Sequence, residues 1–124
     1  MKKLVTCALL AASTTANAGL FSSDTDKALD TVRESVPGSC NHEVGQMVDA
    51  YFTDAEWKAS KTKSGRLFVN VEGDVNYRNQ DQRAFMQFEV DGDEFWLSTL
   101  KLDSQYQSNM VMRSFANKMC DAVK

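Results

Sequence analysis

The sequence is poor in the residues that build linkers, metal sites and membrane spans. It holds one proline and six glycines in 124 residues. No Pro/Gly-rich linker, low-complexity stretch or internal repeat divides it. It holds one histidine, His42, with only Cys40 and Glu43 beside it. A zinc site needs three or four ligands at suitable spacing, so a lone His42 reads as a helix-start residue. After the first residues no apolar run approaches the roughly 18 residues of a membrane span. G-x-S-x-G, P-loop and G-x-G-x-x-G patterns are absent, and with them the familiar hydrolase and nucleotide signatures. There is no basic excess, since 14 Lys and Arg stand against 17 Asp and Glu. A mildly acidic chain with dispersed charge is not built for nucleic acid or anionic lipid.

What is present begins at the N-terminus. Lys2 and Lys3 precede a short apolar run, Leu4 to Ala12, and Ala16-Asn17-Ala18 supplies a small-x-small cleavage pattern before Gly19. This predicts a signal peptide over residues 1–18, an exported and periplasmic protein, and one mature domain over 19–124. Lipidation at Cys7 does not fit, because Leu4 and Val5 are the only apolar residues between the lysines and that cysteine. Removing the leader takes away Lys2 and Lys3, which moves the net charge from −3 to −5. It also takes away Cys7. Two cysteines left in an exported domain pair with each other, so a Cys40–Cys120 disulfide is expected, with neither thiol free for catalysis.

Periodicity predicts the elements. Ser23 to Val36 reads as a helix capped by Ser23, with Leu29, Val32 and Val36 on one face and Pro37-Gly38 as its stop. Asn41 to Phe52 reads as a second helix with Val44, Met47, Val48 and Tyr51 as its stripe. Thr53-Asp54 reads as a turn and Trp57 to Lys61 as an irregular first strand. Leu67, Val69, Val71, Val75 and Tyr77 alternate with Phe68, Asn70, Glu72, Asp74 and Asn76, which marks a strand with one buried face. Gly73 within it suggests a bend or bulge. Asn79 to Gln82 reads as a turn. Ala84, Met86, Phe88 and Val90 give the third strand, Asp91-Gly92-Asp93 a hairpin, and Phe95 to Leu102 the fourth strand. From about Ser104 to Val123 the chain reads as helix, with Tyr106, Met110, Val111, Ser114, Phe115, Met119 and Ala122 on its apolar face. The predicted fold is α+β: helix, helix, a four-stranded antiparallel meander and a C-terminal helix, in two layers with the helices on one sheet face.

Trp57, Gly65, Val69-x-Val71-x-Gly73 and Gln87-Phe88-x-Val90, followed by a closing helix, resemble a group of small exported or surface bacterial α+β domains without an assigned activity. The similarity runs roughly from Val44 to Cys120. It implies the fold and brings no cofactor, metal or catalytic residue.

Candidate chemistry is sparse. Asp91-Gly92-Asp93-Glu94 lacks the ligand spacing of a calcium loop. Glu72, Asp74 and Glu89 fall on the solvent side of the strands rather than in a cleft. Met110, Met112 and Met119 suit core packing. The sharper feature is the sheet face turned away from the helices. Alternation places Phe68 and Phe85 there, and a two- or four-residue Asp91-Gly92 hairpin adds Trp96 near Phe85. A three-residue loop would turn Trp96 into the core instead. Aromatic residues on an uncovered face imply a partner protein or a second copy. The expected role is therefore a protein-binding module of the cell envelope (accessory subunit, adaptor or inhibitor), with Phe68, Phe85 and Trp96 as anchors and no enzymatic activity. The alternative is a small-ligand binder or enzyme with a pocket between helices and sheet, lined by Tyr51, Trp57, Tyr77 and Tyr106.

Overall fold

The computed structural model describes the backbone of residues 16–123 and the side chains of residues 24–123. Residues 1–15 of the expected signal peptide lie outside the described residues. The element order is α1 (Ala16–Glu34), α2 (Val44–Tyr51), β1 (Thr53–Lys61), β2 (Leu67–Tyr77), β3 (Gln80–Asp91), β4 (Glu94–Leu102), β5 (Gln105–Tyr106) and α3 (Asn109–Ala122). All strand pairs are antiparallel, and the sheet runs β1-β2-β3-β4-β5 in chain order. Packing of α1 on β1 and β2, α2 on β1 and α3 on β4 makes the predicted two-layer α+β domain.

Strong alternation makes β2 and β3 the centre of the sheet. Val69, Val71, Val75 and Tyr77 of β2 are buried, as are Ala84, Met86, Phe88 and Val90 of β3. Leu100 and Leu102 continue this inner face on β4. Against it lie Ala28 and Val32 of α1, Val44, Met47 and Val48 of α2, and Phe115 and Met119 of α3. Phe115 is the hub, fully buried with ring centroids 5.3 Å from Tyr51, 6.1 Å from Phe52 and 5.5 Å from Tyr77. No buried polar or charged residue interrupts this layer among the described residues.

The helix boundaries differ from the periodicity reading. Ser23 lies inside α1 rather than at its cap, and Val36 falls beyond the helix end, 55% exposed. The second helix starts at Val44, where the Gln46 side chain accepts the Glu43 N–H at 3.0 Å. His42 therefore precedes the helix and is half-buried. A Cβ at Gly45 would lie 3.1 Å from the Arg33 carbonyl oxygen, so glycine there lets α2 pack closely against α1.

The turns account for the strand differences. Arg78 and Asn79 both take positive φ, 55° and 65°, the pattern of a two-residue hairpin turn matched to strand twist. The third strand therefore starts at Gln80, inside the stretch read as a turn. Asp103 and Ser104 repeat the device at φ 50° and 70°. They add a fifth, two-residue strand where the last helix was expected. Helix α3 instead begins at Asn109, with Ser108 Oγ accepting the Val111 N–H at 3.3 Å. Tyr106 and Met110 are consequently 75% and 79% exposed rather than core.

Thr53-Asp54 belongs to β1, with Asp54 at φ 56° and a register shift between Thr53 and Glu56. The irregularity is thus in β1, while β2 pairs with β3 through Gly73 without a break. The glycine serves that bulge. A Cβ at Gly73 would sit 3.0 Å from Phe52 Cδ2, 3.1 Å from the Thr53 oxygen and 3.2 Å from Ala55 Cα.

Cys40 and Cys120 are bonded, with Cα atoms 6.0 Å apart and 80 positions between them in sequence. The bond ties the turn before α2, where Cys40 N–H donates to the Pro37 oxygen, to helix α3. Among the described residues no helix is long and apolar enough to cross a membrane.

Two predictions follow from this packing. Reducing the disulfide opens a loop whose closure is worth about 4.5 kcal/mol at most in the chain-entropy model. Thermal melts with and without reductant should show a large drop in melting temperature, and unchanged melts would remove the bond from the stability account. Gly73→Ala crowds backbone on two sides and should lower unfolding free energy by about 1–3 kcal/mol in urea titration. A neutral result would show that β1 can move away.

Candidate functional site

Among the described residues no helix lies on the outer face of the sheet, and strand register orders its side chains into rungs. Ser60, Phe68, Glu89 and Trp96 form one rung across β1 to β4. Lys58, Asn70, Gln87 and Thr99 form the next. Glu56, Glu72, Phe85, Lys101 and Tyr106 form a third, reaching β5. Asp74 faces Arg83 beyond it.

The three aromatic anchors read from the sequence, Phe68, Phe85 and Trp96, all lie on this face. The Asp91↔Glu94 pairing leaves a two-residue turn, Gly92 and Asp93, with Gly92 at φ 62°. This turn sends Phe95 and Leu97 inward and Trp96 outward. The neighbour expected for Trp96 does change. Ser98 is an extra residue in β4, with its Oγ donating to the Gln87 oxygen at 3.0 Å. The turn itself sets Trp96 opposite Glu89, and the bulge sets Phe85 opposite Lys101. The three rings do not form one cluster.

Two of them are covered by cations of their own chain. The Arg66 guanidinium lies 5.2 Å from the Phe68 ring centre. Lys101 Nζ lies 5.1 Å from Phe85 and 5.0 Å from Tyr106, between the two rings. Such cation–π contacts hold the ring faces at exposed sites. Trp96 is 46% exposed, and among the described residues no cation or second ring lies against it. The sequence signal for Arg66 over Phe68 was their spacing of two residues, whereas that for Lys101 over Phe85 was the cross-strand register, which the Ser98 bulge concealed.

Charge on the face is largely paired. Arg66 makes two hydrogen bonds to Glu89, Nε–Oε2 at 3.0 Å and Nη2–Oε1 at 2.7 Å. Those hydrogen bonds, together with the Arg66 charge, hold the Glu89 carboxyl below the ordinary glutamate range against the opposing pull of desolvation. Arg83 bridges Glu72 and Asp74 more loosely, at 3.4 Å each. Glu72 and Asp74 thus sit on an exposed sheet face, as the alternation implied. An open hollow of about 570 Å³ lies among Glu56, Lys58, Asn70, Glu72 and Phe85. Asn70 Oδ1 is the one buried side-chain oxygen or nitrogen without a hydrogen-bond partner among the described residues.

The four residues proposed for an interlayer pocket do not meet. Tyr51 and Tyr77 pack around Phe115. Tyr51 donates to the Asn76 oxygen at 2.6 Å and Tyr77 to Ser114 Oγ at 2.9 Å. Burial, with a smaller effect of Tyr77, pushes the Tyr51 phenol above its ordinary value. Trp57 lies at the sheet margin beneath Arg33, 5.3 Å away, and Tyr106 lies on β5. Among the described residues no group of three or more His, Cys, Asp and Glu gathers as a metal site. Residues 91–94 are all exposed and form the β3–β4 hairpin turn and its flanking pair.

The geometry defines a two-layer α+β arrangement whose aromatic-bearing outer sheet face is uncovered among the described residues. No protein-family model, curated protein or solved structure matches this chain.

The Arg66–Glu89 pair gives a pH prediction. The folded carboxyl titrates below its unfolded value, so the pair stabilises the fold above the ordinary glutamate range. That stabilisation is lost as pH falls through the folded value. Carboxyl-carbon NMR should show Glu89 titrating low, and Arg66→Ala should raise it toward the ordinary range. An unmoved midpoint would mean that the pair does not form in solution.

Proposed function

We propose that this chain is an exported, periplasmic binding module that docks another envelope protein on its outer sheet face, as an accessory subunit, adaptor or inhibitor. The observation that carries this reading is Trp96, a large ring half in water on a helix-free face. Rings of this type anchor interfaces when a partner dehydrates them. Phe68 and Phe85 flank the patch as ion-capped rings that a partner can share through Arg66 and Lys101. The disulfide suits an oxidising compartment, in keeping with the leader-like N-terminus. The interlayer alternative gains no comparable support, because the layer between helices and sheet buries no polar residue among those described, whereas a ligand pocket needs convergent polar groups.

The test presents tagged protein and its Trp96→Ala variant side by side to the envelope fraction of the source cell. Circular dichroism first checks that the variant is folded. A single stoichiometric partner, weakened at least about tenfold by the variant, is expected for an interface anchor. Absence of any partner from the native bait, or equal capture by both, would overturn the reading.

A further inference from the structure

The free side of β4 is a different surface from the outer face. β3 pairs along the length of β4, but β5 pairs only with Lys101 and Leu102, and Gln107 N–H reaches the Leu100 oxygen at 2.9 Å. Among the described residues no backbone group bonds to the outward side of residues 94–99. An open strand edge is a template for another strand, and natural edges are blunted by charge and bulges. The opposite edge follows that rule. β1 carries Asp54, Glu56, Lys58 and Lys61 and a register shift at its start. β4 does not. Phe95-Trp96-Leu97-Ser98-Thr99-Leu100 is uncharged, with Glu94 at one end and Lys101 at the other. The Ser98 bulge falls near the far end of the open stretch, just before β5 takes over.

We propose that β4 pairs antiparallel with β4 of a second copy of this chain, about a two-fold axis at Trp96. Such pairing sets Trp96 against Trp96 of the second copy, Phe95 against its Leu97 and Glu94 against its Ser98. The faces agree, since directly opposed residues in a ladder share a face. Phe95 and Leu97 point inward on β4, and Trp96 points outward. The charge order selects a second copy. An antiparallel arrangement turns the acidic start of each strand, Glu94, toward the end of the other that carries Lys101, three residues beyond the opposed Ser98, and does so twice. A parallel arrangement would stack Glu94 on Glu94. The half-buried Phe95 and Leu97 gain cover, and the one outer ring without a cation gains a ring across the axis. A closed two-fold contact of this kind uses the same surface on both copies and uses up both open edges. This goes beyond the docking reading and does not rest on it, although Trp96 takes part in both.

Sedimentation or light scattering of the disulfide-bonded protein over about 10 to 500 µM reads the association directly. A dimer is expected. Glu94→Lys alone, or Lys101→Glu alone, should weaken it about threefold or more at low ionic strength, by replacing attraction with repulsion between strand ends about 10 Å apart. The double variant Glu94→Lys/Lys101→Glu should recover most of that loss. Thermal melts check that each variant is folded. A monomer throughout, a dimer indifferent to both single reversals, or a double variant no stronger than the singles would each overturn the pairing. Because Trp96 and Lys101 also belong to the outer face, Glu94→Lys separates the two readings: loss of the dimer with capture of an envelope partner unchanged shows two independent surfaces.

Discussion

The ladder between β2 and β3 holds eleven consecutive pairs without a break, from Leu67↔Val90 to Tyr77↔Gln80. Every other feature is arranged around it. Its inner side chains are the middle of the floor beneath the helices, with α1 packed on β2 and Phe115 of α3 against Tyr77. Its outer side chains set the spacing of Phe68, Phe85, Arg83 and Glu89. A one-residue slip in this ladder would exchange the two faces, placing Glu72 and Asp74 under the helices. The tight turn at Arg78 and Asn79 prevents that slip by allowing only one register, and does so with two residues in a left-handed conformation.

Irregularity is confined to the flanking strands. The bulge between Thr53 and Glu56 and the extra Ser98 each lie outside the central pair. Gly73 allows the first of these by leaving room for Phe52 and the β1 backbone. The second re-aims the end of β4 so that Leu100 and Leu102 return to the core while Lys101 reaches Phe85. Without that one-residue step, the alternation begun at Phe95 would place Lys101 inward.

Legibility in the sequence followed the strength of alternation. β2 and β3 announced themselves, because valines and aromatics at period two leave no helical alternative. The disulfide was readable from compartment and count. Weak signals failed where local geometry decides. Arg78-Asn79 and Asp103-Ser104 contain no glycine: Asn79 marked a turn but placed it a residue late, and Ser104 read as the start of a helix, so the fifth strand was missed. Ser23 looked like a cap because serine favours helix starts, yet the helix runs through it. The face of Phe68, Phe85 and Trp96 came from parity alone. Their neighbours needed the bulge, and bulges have no reliable residue signature at a serine. The covering of Phe85 by Lys101 is a property of pairing that a linear pattern does not display, while Arg66 over Phe68 is a period-two neighbour pair.

The disulfide has a topological consequence for force. Cys40 lies before β1 and Cys120 lies near the end of α3, so all five strands sit inside one covalent ring. Tension applied at the two chain ends travels through α1, across the sulfur bridge and out through the last few residues, bypassing the sheet. A pulling machine gripping the N-terminal side can peel α1 away, then meets a closed loop rather than a free strand. While the bridge is intact, the sheet is mechanically silent to end-to-end load.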